Sequence, residues 1–434
     1  MLLIFTSENT RRLQYTLQLI FAELLDIPCD VTTDAQQFQS YTGTKLNYST
    51  QQQDEGIFIY ATELLFETGI RKHEINIGSY ENIKTLFHHD HESDLPFDPF
   101  AASFYLVSRY EEYLPFQPDE HGRFPEQQSL NVKAGFFETP VVNHYALFLK
   151  ELLQSRYPQL SSRQRKFEFR LTYDIDMAFA FREKGMLRNA GGFIKSIARG
   201  DLRESLLRSK VLAGARKDPF DTFAYQHSLH EKNNLSPVYF FLLGDHATFD
   251  KNIHWENPVF DALIKEISAR CEVGIHSSYA SNGNIEKVRE EISRLEKITG
   301  KKIVRNRQHF LRLRFPATYR TILACGIEED YTLGYSSLAG FRAGIASPFL
   351  FYDLEKEEAT QLHVFPFAVM DATLHYYQHL TPADALTKSL QLLKAVKKVG
   401  GTFIFLAHND LISEEGPWKG WKSAFEELIT EAAR

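Results

Sequence analysis

The sequence predicts an α/β protein in which a distorted, seven-stranded (β/α) barrel follows a smaller N-terminal αβ domain. Apolar, β-rich runs alternate with helical patterns from about residue 165 onward, which is typical of parallel strands joined by helices. A chain of 434 residues also exceeds one ordinary core, so we expect two domains. Because only seven such runs occur, fewer than the eight strands of a closed TIM barrel, we expect the barrel to be incomplete.

The N-terminal domain is expected over residues 1–155. Residues 2–5 and 56–60 have the composition of short strands, and residues 10–25 carry apolar side chains at helical spacing. This part contains no glycine-rich phosphate loop, so its sequence predicts no chemistry. A polar run over residues 158–166 marks the expected boundary.

The C-terminal domain is expected over residues 165–434. Its candidate strands share an apolar, β-rich composition and span residues 167–173, 238–243, 272–275, 303–308, 331–335, 363–370 and 402–406. Residues 285–298 have a clear helical pattern, with Asn284 at the expected N-cap and Gly300 just after the helix. The alternation predicts a parallel arrangement whose loops meet at the carboxyl ends of the strands.

Composition and charge exclude several classes of protein. The formal net charge of −7 predicts no general attraction for nucleic acid. Cys29, Cys271 and Cys325 are far apart and form no CxxC motif, which argues against a disulfide framework and a cysteine–zinc cluster. The first apolar run is too short for a signal peptide, and no stretch approaches the roughly 20 apolar residues of a membrane span. We therefore expect a cytoplasmic protein without a transmembrane segment.

Residues 182–217 form a basic insertion that departs from the alternation of strands and helices. The segment contains ten Lys or Arg against three acidic residues. One interpretation is a solvated helical insertion, because charge runs are often exposed faces. The other is a basic arm that meets an anionic glycan, a phosphate-linked carrier or a membrane surface. The sequence leaves both open.

Asp and His side chains follow most of the candidate strands, where the loops of a (β/α) barrel converge. These residues are Asp174, Asp176, Asp245, His246, His276, His309, Asp371 and His408. Carboxylate oxygen and imidazole nitrogen are ligands of zinc and similar metals, so the pattern favours a metal site. Asp245 and His246 are interpreted as loop residues. Ser277 lies nearby, but no GxSxG motif surrounds it, so a serine hydrolase is not favoured.

The pair Asp174 and Asp176 is the most informative part of this pattern. Residues two apart at the end of a strand point to the same side, so the two carboxylates repel each other unless a cation or a proton intervenes. One of them can bind a metal while the other accepts a proton from metal-bound water. The alternative is an N-cap or Asx-turn before the next helix, which needs only one aspartate.

His276 and His408 each follow an apolar strand, where a histidine is often only hydrogen-bonded at the edge of a core. Imidazole donates a proton near neutral pH, which makes His408 a candidate general acid. Asp371 is a candidate to orient this imidazole and raise its pKa, and the alternative for Asp371 is a turn residue.

Taken in order, these motifs resemble those of the polysaccharide deacetylases, the NodB-like carbohydrate esterases, over roughly residues 165–434. The resemblance is to a divergent bacterial branch with an extra N-terminal domain, and it implies a distorted barrel of about seven strands. Residues 172–176 are similar to the first motif of the family. This match implies that Asp174 is the general base and Asp176 a metal ligand.

The third and last motifs are matched more loosely. Residues 405–408 resemble the last motif, which implies that His408 is the general acid with a supporting aspartate, for which Asp371 is the candidate. Arg307 and the residues after it resemble the third motif, and residues 314–316 are a rival match.

The second motif, His-Ser/Thr-x-x-His, begins at His276 but has Ala280 at its fifth position. The usual third metal ligand of the family is therefore missing. A catalytic zinc normally has three protein ligands, and His309 at the end of the next strand can restore the third. The expected set is Asp176, His276 and His309, with zinc as the expected ion.

The function that the resemblance implies is metal-dependent removal of N-acetyl groups from an amino sugar or glycan precursor, with Arg307 as a donor to the oxyanion. The expected partner is a carbohydrate, anionic or carrier-linked if the basic insertion meets it. One alternative is a catalytically inactive, deacetylase-like glycan-binding protein, which the departure at Ala280 would permit. Another is a different metal-assisted hydrolase such as a phosphoesterase.

Overall fold

The computed structural model of the protein describes residues 1–162 and 165–434, so part of the predicted boundary, residues 163 and 164, lies outside the described residues. The strands of the described chain are β1 (Leu2–Phe5), β2 (Cys29–Thr32), β3 (Lys45–Ser49), β4 (Ile57–Tyr60), β5 (Ile77–Tyr80), β6 (Ile83–Leu86), β7 (Glu168–Ile175), β8 (Val238–Phe241), β9 (Glu272–Ser277), β10 (Arg305–Gln308), β11 (Glu329–Asp330), β12 (Phe349–Asp353), β13 (Glu358–Val364), β14 (Val369–Met370) and β15 (Thr402–His408).

The α-helices are α1 (Arg11–Leu17), α2 (Ala35–Ser40), α3 (Pro99–Val107), α4 (Leu130–Lys133), α5 (Val141–Arg156), α6 (Gly185–Ala198), α7 (Leu202–Leu212), α8 (Phe223–Asn233), α9 (Pro258–Ser268), α10 (Ile285–Thr299), α11 (Ala317–Ala324), α12 (Pro382–Lys398) and α13 (Trp421–Ala433). This mixture of strands and helices confirms the predicted α/β class. No helix in residues 1–162 or 165–434 is long and apolar enough to cross a membrane.

The N-terminal part contains a four-stranded parallel sheet in the order β2-β1-β3-β4. The predicted strand at residues 2–5 is β1, and its side chains are all buried. The predicted helix at residues 10–25 begins as α1, where the Thr10 side chain caps the first turn by accepting from the Leu13 amide. It continues as a π-helix over Gln18–Leu24.

The C-terminal part contains a nine-stranded sheet in the order β12-β13-β11-β10-β9-β8-β7-β15-β14. All neighbours are parallel except β12 and β13. The described residues form no closed barrel, so the count of seven strands in a barrel stays a prediction. One continuous stretch, residues 358–370, supplies both β13 and β14, and it pairs with β11 at one end and with β15 at the other.

Helix α10 matches its prediction, whereas two predicted strands differ from the observed ones. Residues 363–370, predicted as one strand, are divided between the end of β13 and β14. Helix α10 has the predicted caps: the Asn284 side chain accepts from the Lys287 amide, and Gly300 adopts a left-handed conformation with φ of 67°. The strand predicted at residues 331–335 is instead β11, two residues long and earlier in the chain. Tyr331 continues the ladder by one hydrogen bond to the Asn306 carbonyl, after which the chain leaves the sheet.

A buried ion-pair network joins the N-terminal part to the loop between β11 and β12 of the C-terminal part. The division into domains at residues 155–165 stays a prediction. Glu112 accepts from the Arg109 Nε atom at 2.8 Å and from the Arg342 Nε atom at 2.9 Å. All three side chains are buried. Burial by itself would raise the pKa of Glu112, but the guanidinium groups of Arg342 and Arg109 outweigh it and hold this pKa below its usual value.

We predict that Glu112→Gln lowers the free energy of unfolding by about 3–5 kcal/mol, because it leaves the buried Arg342 without a counter-charge and leaves Arg109 with Glu111 alone. Urea unfolding followed by circular dichroism measures this loss. The matched control is Glu286→Gln, whose partner Arg289 is exposed, and the control should keep the wild-type midpoint. A wild-type midpoint for Glu112→Gln would show that the network contributes no net stability.

Candidate active site and metal centre

Three side chains at neighbouring strand ends converge on one point. Asp176 follows β7, His276 lies in β9, and His309 follows β10. The Oδ1 atom of Asp176 lies 3.1 Å from His276 Nε2, and its Oδ2 atom lies 3.4 Å from His309 Nε2. One ligand atom from each residue lies within 4.8 Å of the other two. The structure thus brings together the three residues that the sequence nominated as ligands.

Both histidines are oriented by a contact through their other ring nitrogen. His276 Nδ1 lies 2.9 Å from the Arg307 carbonyl, and His309 Nδ1 lies 2.9 Å from Asp250 Oδ1. Because a carbonyl and a carboxylate accept hydrogen bonds, each Nδ1 is the donor, which leaves Nε2 free to act as a ligand beside Asp176.

The electrostatics of this point fit a divalent cation. Asp176 Oδ1 is buried and has no hydrogen-bond partner among the described residues. Burial would lower the pKa of His309, but Asp176 and Asp250 outweigh it and raise this pKa to about 9. Burial would likewise raise the pKa of Asp176, yet His309 and His276 hold it well below its usual value. A site that stabilises a positive charge this strongly suits a metal ion.

Asp174 lies beside the three converging residues, and Arg307 binds its carboxylate. Its Oδ1 atom accepts from Arg307 Nη1 at 2.8 Å, and the same nitrogen donates to Thr172 Oγ1 at 2.9 Å. Its Oδ2 atom lies 3.6 Å from His276 Nε2. Arg307 is completely buried and does not line the cavity described below. This geometry does not support the expected role of Arg307 as an oxyanion donor, because the guanidinium contacts the site only through Asp174.

His408 and Asp371 form a close pair at the ends of β15 and β14. The His408 Nδ1 atom lies 2.7 Å from Asp371 Oδ1, and the His408 amide donates to Asp371 Oδ2 at 2.6 Å. The Nε2 atom lies 3.8 Å from Asp176 Oδ2. Burial would lower the pKa of His408, but Asp371, which is fully buried, outweighs it and raises this pKa well above its usual value.

These groups face a cavity of about 430 Å³. Asp174, Asp176, His276, His309 and His408 all line it. Five aromatic residues also line it: Phe220, Phe310, Tyr376, Tyr377 and Trp418. These side chains give the cavity apolar surface beside its ionisable groups.

Two residues at the site were missed by the sequence analysis. Asp250 lies in the same loop as Asp245 and His246 but further from the end of β8. Its position in the sequence therefore does not identify it as a residue at a strand end. Arg123 comes from the N-terminal part and is the one Lys or Arg among the described residues that line the cavity. Its Nη1 atom donates to the Phe310 carbonyl at 2.9 Å. No local signal connects Arg123 with residues so distant in the chain.

The candidate loop residues have no contact with the metal centre. Asp245 is exposed and pairs with Arg294 at 2.9 Å, and neither Asp245 nor His246 lines the cavity. Ala280, where the family motif has its second histidine, donates its backbone amide to Asp250 Oδ2 at 3.2 Å. The loop at Ala280 thus supports the aspartate that orients His309.

Comparison with known proteins finds one matching family model and several solved structures. Residues 2–158 match a family of unknown function (DUF7033). No curated protein matches the chain.

Three solved structures with likeness to this chain have low sequence identity. A Mycobacterium smegmatis protein named among the polysaccharide deacetylases is 14% identical, over 62% of this chain and 85% of its own, with a TM-score of 0.41. A polysaccharide deacetylase from Bacillus cereus is 12% identical, over 62% of this chain and 88% of its own, with a TM-score of 0.30. A CE4 family pseudoenzyme from Bacillus anthracis is 14% identical, over 62% of each chain, with a TM-score of 0.27. The first two bear the name of the family that the sequence motifs resemble.

We predict that Asp371→Asn lowers the pKa of His408, because the amide keeps an acceptor but removes the negative charge beside Nδ1. Histidine Cε1–H chemical shifts in NMR, followed against pH in the presence of a chelator, measure the change. Asp261→Asn is the matched control, since Asp261 pairs with Lys265 on helix α9, and it should leave the His408 titration unchanged. An identical His408 titration in Asp371→Asn would contradict the assigned pairing.

Proposed function

We propose that the protein is a metal-dependent hydrolase that removes N-acetyl groups from an amino sugar or glycan precursor. The observation that supports this most directly is the arrangement around one cavity. Asp174 and Asp176 lie side by side, two histidines face Asp176, and His408 faces the same point. A base, a set of metal ligands and an acid are the groups that hydrolysis of an amide requires.

Asp176, His276 and His309 are the residues that would hold the metal. One carboxylate oxygen and two imidazole nitrogens, with a position open to the cavity, are typical of catalytic zinc, which is the ion we propose. When bound, such an ion polarises the acetyl carbonyl and lowers the pKa of water.

The remaining residues move protons. Asp174 takes a proton from the attacking water, and Arg307 holds this carboxylate in position as a positioning residue. Water adds to the acetyl carbon, and the bond between that carbon and the sugar nitrogen then breaks. His408 donates its Nε2 proton to the leaving amine, while Asp371 holds Nδ1. The products are acetate and a free amino sugar.

The alternative is a glycan-binding protein that has lost catalysis. The departure from the family motif at Ala280 favours it, because the usual histidine ligand is absent there. His309 argues against it, because its Nε2 atom lies close to Asp176 and its ring is oriented by Asp250. Metal binding by the purified protein separates the two.

We predict that Asp174→Asn and His408→Ala each reduce acetate release from N-acetylglucosamine oligomers by about 10²–10⁴-fold, because each removes a proton-transfer group. An enzymatic acetate assay measures this. The exposed His254 provides the matched control, and His254→Ala should keep wild-type activity. Wild-type acetate release in both site variants would rule out the proposed mechanism.

We predict that Asp250→Asn weakens zinc binding by about 10–100-fold, because it loosens the orientation of His309. Zinc titration against a competing chelator measures the affinity, and Asp176→Ala should abolish stoichiometric binding. Asp245→Asn is the matched control in the same loop and should bind zinc like the wild type. If the wild-type protein binds glycan but no stoichiometric metal, the glycan-binding alternative replaces the hydrolase.

A further inference from the structure

Helices α6 and α7 form a helical hairpin over residues 185–212, within the basic insertion that the sequence singled out. Helical structure agrees with both interpretations of that insertion. The direction in which its side chains point distinguishes them, because a solvated insertion exposes polar residues and buries apolar ones.

The hairpin exposes its apolar side chains. Seven of the twelve strongly exposed large apolar residues of the described chain lie in it, with exposed fractions from 45% to 90%. They are Met186, Leu187, Ile194, Ile197, Leu202, Leu206 and Leu212. Their concentration in one short segment forms an exposed apolar patch, and patches of this kind often mark a binding surface.

The side chains buried in the hairpin are instead mostly polar. The buried residues of α6 are Asn189 and Ser196, and those of α7 include Arg208. Asn189 donates to the Phe181 carbonyl at 3.0 Å and accepts from Arg208 at 3.1 Å. Because these polar contacts join the two helices, and Arg188 donates to the carbonyl of Asn252 outside the hairpin, the apolar face remains available for another contact.

The apolar and basic residues form adjacent stripes along the hairpin. Leu187 and Ile194 are seven residues apart, so they lie above one another on α6. Lys195 and Arg199 are exposed and lie on the neighbouring side of the helix, and Arg203 and others extend the charge onto α7. An apolar stripe beside a row of Lys and Arg is typical of helices that lie in the interface of a membrane.

We propose that this hairpin docks on a bilayer with anionic lipids, its apolar face among the acyl chains and its basic side chains against the headgroups. Charge complementarity favours this occupant: residues 182–217 hold ten basic and three acidic residues in a chain with a net charge of −7. Since no helix of the described residues can span a membrane, the contact is interfacial.

The hairpin lies next to the candidate active site. Only residues 177–184 separate it from Asp176, and Met177 lines the cavity. Arg188 also donates to the Asn252 carbonyl at 3.1 Å, two residues beyond Asp250. This step rests on the proposed function. Given that function, the position of the hairpin beside the cavity indicates that the acetylated sugar is presented at a membrane surface.

The test is co-sedimentation of the full chain with vesicles of phosphatidylcholine, with and without phosphatidylglycerol, at low and high salt. We expect binding to the anionic vesicles that weakens as salt rises. Replacing the apolar stripe with Leu187→Ser, Ile194→Ser and Ile197→Ser should weaken binding by roughly tenfold or more. The matched control is Ile77→Ser, an exposed apolar residue in β5, which should bind like the wild type.

A second variant tests the charge. Lys195→Gln, Arg199→Gln and Arg203→Gln together should remove the preference for anionic vesicles, whereas Lys287→Gln and Lys302→Gln, on an exposed surface elsewhere, should retain it. The proposal is overturned if the wild-type protein binds neither kind of vesicle, or if the apolar or the basic variant binds anionic vesicles like the wild type.

Sedimentation velocity distinguishes a second occupant. A dimer that the substitutions in the apolar stripe dissociate, without vesicle binding, would make the face an interface between two copies and overturn the membrane proposal. Acetate release from soluble oligomers should be unchanged in both hairpin variants. Loss of vesicle binding with retained acetate release would therefore show that the hairpin acts in membrane binding and not in catalysis. Vesicle binding by a wild-type protein that releases no acetate contradicts the proposed function alone.

Discussion

Parallel strands end in register at one edge of the large sheet, and the contacts of the candidate site depend on that alignment. β15 pairs with β7 so that His408 stands opposite Asp174, and β9 pairs with β10 so that His276 stands opposite Arg307. Residues more than two hundred positions apart in sequence thereby meet. A change of register by one residue would turn these side chains to the other face of the sheet and disperse the site.

Opposite charges placed by this register hold the site together. Buried carboxylates would repel one another, but each has a positive or donating partner: Asp174 has Arg307, Asp371 has His408, and Asp250 has His309. Asp176 Oδ1 is the one fully buried oxygen of these carboxylates that has no hydrogen-bond partner among the described residues. The network thus leaves its unsatisfied oxygen at the point where the two imidazoles converge, which is why a cation fits there.

Ala280 takes the place of a histidine in the motif that the sequence resembles, and its backbone contributes to the site in another way. The Ala280 amide supports Asp250, and Asp250 orients His309, so the loop that lacks a histidine helps to position one from the next strand. The N-terminal part contributes as well, because Arg123 reaches the cavity and the Glu112 network fixes the two parts together.

The sequence by itself determined the α/β class and the capped helix α10 through local periodicity, and its resemblance to the polysaccharide deacetylases nominated Asp176, His276 and His309 as ligands. A local pattern reports only the spacing of apolar residues along the chain. That spacing predicts strands and helices because the side chains on one face recur with the period of the backbone. Only the tertiary structure decided that Arg307 is buried behind Asp174, that Asp250 orients His309, and that the hairpin turns its apolar face outward. Those facts depend on packing between segments far apart in sequence, and periodicity shows that a helix has an apolar side without showing which way it faces.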